Sequence, residues 1–193
     1  IVASPKMMIG FPETSIGIFP GLGGTQRLPR RVGLPIAKYL IYTGQLLNAE
    51  QALEVGLIDA ISSFAELDAT CEEWAQNTDY RKGEVEDIKP HVNWVEIWNF
   101  FDNNTLDQIM SGEADAMGNT FLEKAIHKMG QKSYHALKMC ENLFHEGAPL
   151  PLKHALELES RDLQTVFDHT DALEGLSALL EGRRPQFEQV ASV

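Results

Sequence analysis

The chain has 193 residues, 44% of them hydrophobic, and a formal net charge of −12; that is enough apolar material for one domain with a buried core, and it excludes a disordered chain. The acidic balance argues against nucleic acid or an anionic membrane surface as partner, since both need a basic excess. No apolar run approaches the roughly 20 residues that cross a bilayer, and Cys71 and Cys140 form no CxxC set, which predicts buried thiols in a reducing cytoplasm rather than a disulfide or zinc framework.

The opening IVASPKMMIG has no basic n-region or cleavage site, and reads as the interior of a strand, so the chain is expected to be a piece of a longer protein. Residues 1 to 20, rich in Ile, Val and Phe and broken by Pro and Gly, predict one or two short buried strands with a turn at Gly10 to Pro12. Leu28, Val32, Ile36, Tyr39 and Leu40 fall at helical spacing, which predicts helices from Thr25 to Gly33 and from Pro35 to Tyr42. In NAEQALEVG, Asn48 is a suitable N-cap, Gln51 stands at the capping-box position and Gly56 closes the helix before a strand-like LIDAI.

Beyond residue 64 the pattern is almost entirely helical. Candidates are Leu106 to Met110, Phe121 to Met129, Tyr134 to Phe144, Leu152 to Phe167 and Ala172 to Leu180, with Ser133 and Asp171 as caps for two of them. Residues 80 to 104 are less regular and aromatic; they suit packing against a core, with an oligomer contact as the alternative.

Two features carry possible chemistry. The run Gly21-Leu22-Gly23-Gly24, taken to join a strand to a helix, lets backbone approach a ligand and would aim the helix's free N–H groups at it. It matches neither GxGxxG nor GK[ST], so nucleotide binding is disfavoured, and a turn needed only for packing remains open. Glu13, at the end of an apolar strand beside Phe11, Ile16, Ile18 and Phe19, would be partly desolvated, which raises a carboxyl pKa and suits proton exchange with a carbon acid. The alternative is a solvated strand-end glutamate. Arg27, Arg30 and Arg31, the densest basic cluster, read as salt-bridging in an acidic protein, with phosphate contact as the alternative. The six histidines show no ligand spacing, so no metal is expected.

These residues also carry a resemblance. GFPETSIGIFPGLGGTQRLPRRVG with YTGQLLNAEQALEVGLID, and more weakly the tail VFDHTDALEGLSALLEGRRPQF, resemble the enoyl-CoA hydratase (crotonase) superfamily. The resemblance implies an α/β fold: the C-terminal part of a crotonase-like ββα spiral in residues 1–64, then a mainly helical region in 65–193 with an insertion at about 72–122 and helices for trimerisation and CoA contact. It implies an acyl-CoA substrate that brings its own coenzyme A, no other cofactor, a homotrimer or hexamer, and reversible hydration of 2-enoyl-CoA.

Residue by residue, Glu13 inherits the role of one of two catalytic carboxylates, passing a proton to or from the α-carbon. Gly21, with Pro20 before it, matches the small residue lining the pocket opposite the thioester; Phe167 matches an aromatic position near the acyl-CoA pocket, with a core position as the alternative. Arg183 and Arg184 stand where relatives place basic residues toward the CoA phosphates, although Gly182 occupies a position where Lys is common. The oxyanion hole and second glutamate of the family have no match here, which implies that this chain alone is catalytically incomplete. The insertion resembles that of 3-hydroxyisobutyryl-CoA hydrolases and of the hydratase half of dehydrogenase/hydratase fusions. Gly21, where the hydrolases carry an acidic residue, favours hydration over thioester hydrolysis. A non-catalytic assembly module using the aromatic 94 to 101 segment is the reading from another class.

Overall fold

A computed structural model describes residues 1–76 and 88–187. The part of the aromatic and insertion stretches between 77 and 87 lies outside the described residues. The first third is a compact alternation of short elements: β1 (Val2–Ala3), β2 (Met8–Ile9), a 3₁₀ turn (Glu13–Ile16), α1 (Gly24–Val32), α2 (Leu34–Thr43), β3 (Leu47–Asn48), α3 (Ala49–Glu54) and β4 (Ala60–Ile61). β1 pairs parallel with β4, Val2 opposite Ala60, and β2 pairs antiparallel with β3, Met8 opposite Asn48. Helices follow: α4 (Leu67–Gln76), α5 (Val95–Asn103), α6 (Leu106–Ser111), α7 (Thr120–Met129), α8 (Tyr134–Gly147), α9 (Leu152–Asp168) and α10 (Thr170–Glu181).

The core is built around α2. Every residue from Pro35 to Thr43 is buried, and a helix buried on all sides must be wrapped by others; α1, α5, α7 and α8 do this, and Lys38, its one charged residue, donates to the Phe101 carbonyl of α5 at 3.2 Å. Tyr39 meets Trp94 and Phe101 edge-on at 6.0 and 5.7 Å between ring centres, and Tyr42 meets Phe101 at 6.4 Å. Such pairs each add about 0.5–1.5 kcal/mol beyond the area they bury. Trp94 also donates its indole N–H to Glu54 at 2.8 Å, fastening α5 to α3. The aromatic segment is therefore core, with Trp94, Ile97, Phe100 and Phe101 buried, as the packing reading expects.

Several local expectations hold because three or four residues decide them. Asn48 and Gln51 form the capping box of α3, Ser133 caps α8 by accepting from the Ala136 N–H at 3.0 Å, and Gly44 ends α2 in the left-handed region.

Other expectations need correction. Asp171 does not cap α10: the helix starts two residues earlier, His169 is its cap with Nδ1 accepting from the Asp171 N–H at 3.2 Å, and Asp171 is buried instead. Cys71 is exposed, because α4 buries none of its residues, while Cys140 is buried. Glu13 does not end a strand but begins the 3₁₀ turn, and residues 17 to 20 before the glycine run are not strand either.

Candidate active site

Glu13 is half-buried, and its Oε2 is shielded from solvent without a hydrogen-bond partner. Burial raises the carboxyl above its ordinary value, partly offset by a backbone hydrogen bond. The turn that holds it is gripped from several sides. Thr14 donates its hydroxyl to the Ile41 carbonyl of α2 at 3.1 Å, the Ser133 N–H donates to the Thr14 carbonyl at 3.1 Å, and Lys132 Nζ donates to Ser15 Oγ at 2.6 Å. The buried Cys140 thiol is pushed up by its burial and, secondarily, by the charges of Glu13 and Glu159. It is thus an inert neighbour of both carboxylates.

The glycine run is organised by a residue that sequence reasoning missed. Glu159 of α9, only 4% exposed, accepts from the Gly23 N–H at 2.6 Å, the Thr25 N–H at 3.1 Å and the Thr25 hydroxyl at 2.6 Å. Because Gly23 holds the N-cap of α1 and has no side chain to offer, a carboxylate 136 positions away completes the cap. The Gly24 N–H goes to the Gly21 carbonyl and the Gln26 N–H to that of Gly23. The expectation that this helix start presents free N–H groups to a ligand is therefore wrong.

What remains open at the run is space. A Cβ at Gly24 would meet Pro20 Cβ at 2.7 Å, and one at Gly17 would overlap the Asp171 main chain. A Cβ at Gly21 would meet nothing closer than Leu163 Cδ1 at 3.9 Å, and Gly21 lacks the positive φ of Gly17 and Gly23. The chain's own packing thus does not require glycine at position 21. Gly21, Phe11, Leu28, Leu57 and Arg27 line an open cleft of about 500 Å³. Leu163 of α9 is the nearest side chain to position 21, and no local pattern in the sequence pointed to it.

The other sequence candidates lie apart from this cleft. Pro20 is buried under Gly24, Phe167 stands 45% exposed on α9, and Glu13 is not among the lining residues. Arg183, beyond α10, is held by Glu174 at 2.5 and 2.8 Å and by Glu181 at 2.5 Å. Hydrogen bonds from Arg183 lower the Glu174 carboxyl to about 2. Of the arginine cluster, Arg31 pairs with Asp59 at 2.5 Å as expected. Arg30 instead donates to the carbonyls of Gln26, Gly147 and Leu150, at 2.7, 2.6 and 2.9 Å, tying α1 to the α8–α9 junction. Among the described residues no three His, Cys, Asp or Glu side chains are placed to hold a metal ion, and no helix is long and apolar enough to cross a membrane.

A glutamate on a clamped turn, followed by a glycine run and a helical tail, is the arrangement of the crotonase fold. An enoyl-CoA hydratase from Rhodobacter sphaeroides superposes with a TM-score of 0.74 at 22% identity, over 99% of this chain and 57% of that one. The chain belongs to the enoyl-CoA hydratase/isomerase family, whose sequence model matches residues 1–192. It is 25% identical over 186 residues to a crotonyl-CoA hydratase of Syntrophomonas wolfei, covering 96% of this chain and 52% of that protein. Over 74 residues it is 46% identical to a peroxisomal fatty acid beta-oxidation multifunctional protein of Arabidopsis thaliana, which is 38% of this chain and 10% of that protein. The chain thus spans about half the length, or less, of the curated relatives it matches.

Proposed function

We propose that the protein carrying this chain hydrates 2-enoyl-CoA thioesters reversibly to 3-hydroxyacyl-CoA in fatty-acid degradation, with Glu13 as the acid–base group at the α-carbon. In the hydration direction the oxygen of water bonds to C3 of the enoyl group, the carboxyl of Glu13 gives its proton to C2, and the proton left over from the water restores the carboxyl. In the reverse reaction the carboxyl of Glu13 gives its proton to the C3 hydroxyl, which leaves as water, and the carboxylate takes the C2 proton. The observation that carries the reading is the desolvated, unpartnered Oε2 of Glu13 in a chain of this family. A carboxyl whose acid form is favoured by burial transfers protons near neutral pH better than a solvated one.

Gly21 fits this role as the position left small for thioester and water, since nothing in the chain's own packing demands glycine there. Phe167 and Arg183 are proposed as acyl-CoA contacts made in an assembled homotrimer or hexamer. Support for assembly comes from α10, which exposes Leu173, Leu176 and Leu180 along one face; light scattering on the native protein tests it. The Arabidopsis relative's name supports a fusion with a further enzymatic unit, here a dehydrogenase. A cytoplasmic location is proposed, supported by two cysteines that are both free; imaging of the tagged protein against a peroxisomal marker decides that point.

The reaction class is tested with crotonyl-CoA and 3-hydroxyisobutyryl-CoA as substrates of the native protein. Loss of the enoyl-thioester absorbance without thiol release is the expected result. Release of CoA thiol from the second substrate with no hydration of the first would overturn the reading in favour of a hydrolase.

A further inference from the structure

The turn carrying Glu13 has no side-chain cap of its own, so its direction is set by what surrounds it. On one side α8 begins, with the Ser133 N–H bound to the Thr14 carbonyl. On the other side α10 lies directly on the turn: a Cβ on Gly175 would overlap the Ile16 main chain, and one on Gly17 would overlap the Asp171 carbonyl. The Ile18 N–H in turn donates to the carbonyl of Glu13 itself at 3.3 Å. Ser133 and Asp171 join the two sides. The Ser133 hydroxyl donates to Asp171 Oδ2 at 2.6 Å, and the two residues are 0% and 3% exposed. A closed circuit results, from the turn to Ser133, to Asp171, to Gly17 and back to the turn.

We propose that Ser133 and Asp171 are positioning residues for Glu13: their buried hydrogen bond locks the starts of α8 and α10 against the glutamate turn, which fixes the carboxylate's direction and keeps bulk solvent, as distinct from the reacting water, away from it. The proposal rests on Glu13 being the acid–base group. A charged hydrogen bond out of water is stronger than a neutral one and holds a defined geometry, and a misplacement of about 1 Å in a reacting group costs on the order of 100-fold in rate. The circuit therefore affects chemistry more than ground-state binding.

Other ionisable side chains surround the turn: Cys140 and His135 from α8, with Glu159 of α9 beside Cys140, Lys132 just before α8, and His169 and Asp171 at the start of α10. His135 stacks on His169 with ring centres 3.7 Å apart. A rate profile alone would mix their titration with that of Glu13. A carboxyl-carbon NMR titration, with the Glu13 resonance assigned by its loss in Glu13→Gln, separates them.

The test compares the native protein with Ser133→Ala, Asp171→Asn, Ser133→Thr and Glu13→Gln. Ser133→Ala is expected to lower kcat about 10- to 100-fold with KM little changed, and to bring the Glu13 titration midpoint down toward the ordinary carboxylate range as water enters. Asp171→Asn, which keeps one acceptor oxygen, shifts both in the same direction by less. Ser133→Thr keeps the hydroxyl and restores both. If Ser133→Ala does not fold, Asp171→Asn decides. Unchanged kcat per folded molecule and an unchanged Glu13 midpoint, even with a lowered melting temperature, would overturn the proposal in favour of a purely structural role. If Glu13→Gln itself keeps full activity, the functional reading fails and the proposal with it. If Glu13→Gln is inactive while the Ser133 and Asp171 variants behave as wild type, the proposal fails alone.

Discussion

Replacing Glu159 by alanine removes the side chain that, among the described residues, completes the N-terminus of α1. The Gly23 N–H, the Thr25 N–H and the Thr25 hydroxyl, all bound to this carboxylate at 2.6 to 3.1 Å, lose their acceptor in a buried place. Each unsatisfied buried donor costs about 1–3 kcal/mol, and the positive end of the helix loses a counter-charge worth up to about 2 kcal/mol. Entry of water into the vacated space and relief from burying the carboxylate offset part of this. The net loss is about 3–5 kcal/mol, the range found when one partner of a buried charged contact is removed. For a chain of this length that corresponds to a fall in Tm of roughly 6–20 °C. Glu159→Gln keeps the volume and one oxygen and loses less. Urea denaturation followed by far-UV circular dichroism measures the difference. A loss below about 1 kcal/mol for Glu159→Ala, no more than an ordinary surface change gives, would refute the claim that Glu159 is the cap of α1.

Two further outcomes follow from burial. An aromatic disulfide reagent should label one thiol promptly, because Cys71 is exposed, and the second only on unfolding, because Cys140 is buried with its thiol pushed up; prompt labelling of both would contradict the packing of α8. Burial, and then the neighbouring His169, lower the His135 pKa from its usual 6.5. The unfolded state therefore binds the proton first, so stability is lost as pH falls from about 6.5 through the folded-state value. His135→Gln should flatten that part of the stability profile relative to wild type; the same slope in both would show that His135 is not its source.

What the sequence reveals of this fold is mostly what neighbouring residues decide. The Asn48–Gln51 capping box, the Ser133 cap and the glycine stop of α2 need only a few consecutive residues to be recognised. The helical span of α2 was visible from its spacing, but its central place in the core, with Lys38 buried too, shows only in the packing. The cap of α10 was misplaced because histidine is an unusual cap, while the Asp171 two positions later is a common one. Glu159 was invisible for a different reason: it acts across 136 positions, and no local pattern marks a carboxylate on one helix as the cap of another. Glu13 itself stood out as a charge among Phe11, Ile16, Ile18 and Phe19, but its setting on a turn gripped by α2, α8 and α10 is a matter of long-range packing. Gly21 was marked by the resemblance, and the structure adds that its neighbours have structural reasons for being glycine that it lacks.

Glu13 is the residue on which hydration depends most directly in this site. Hydration of crotonyl-CoA by the native protein, measured for wild type and Glu13→Gln at equal folded concentration, should fall by roughly 10²–10⁴-fold, the usual contribution of a positioned acid–base group. Because glutamine keeps the size of the side chain and the turn that carries it, KM should change little. A Glu13→Gln protein that hydrates crotonyl-CoA within a few-fold of wild type would contradict the assignment of this carboxyl to the reaction.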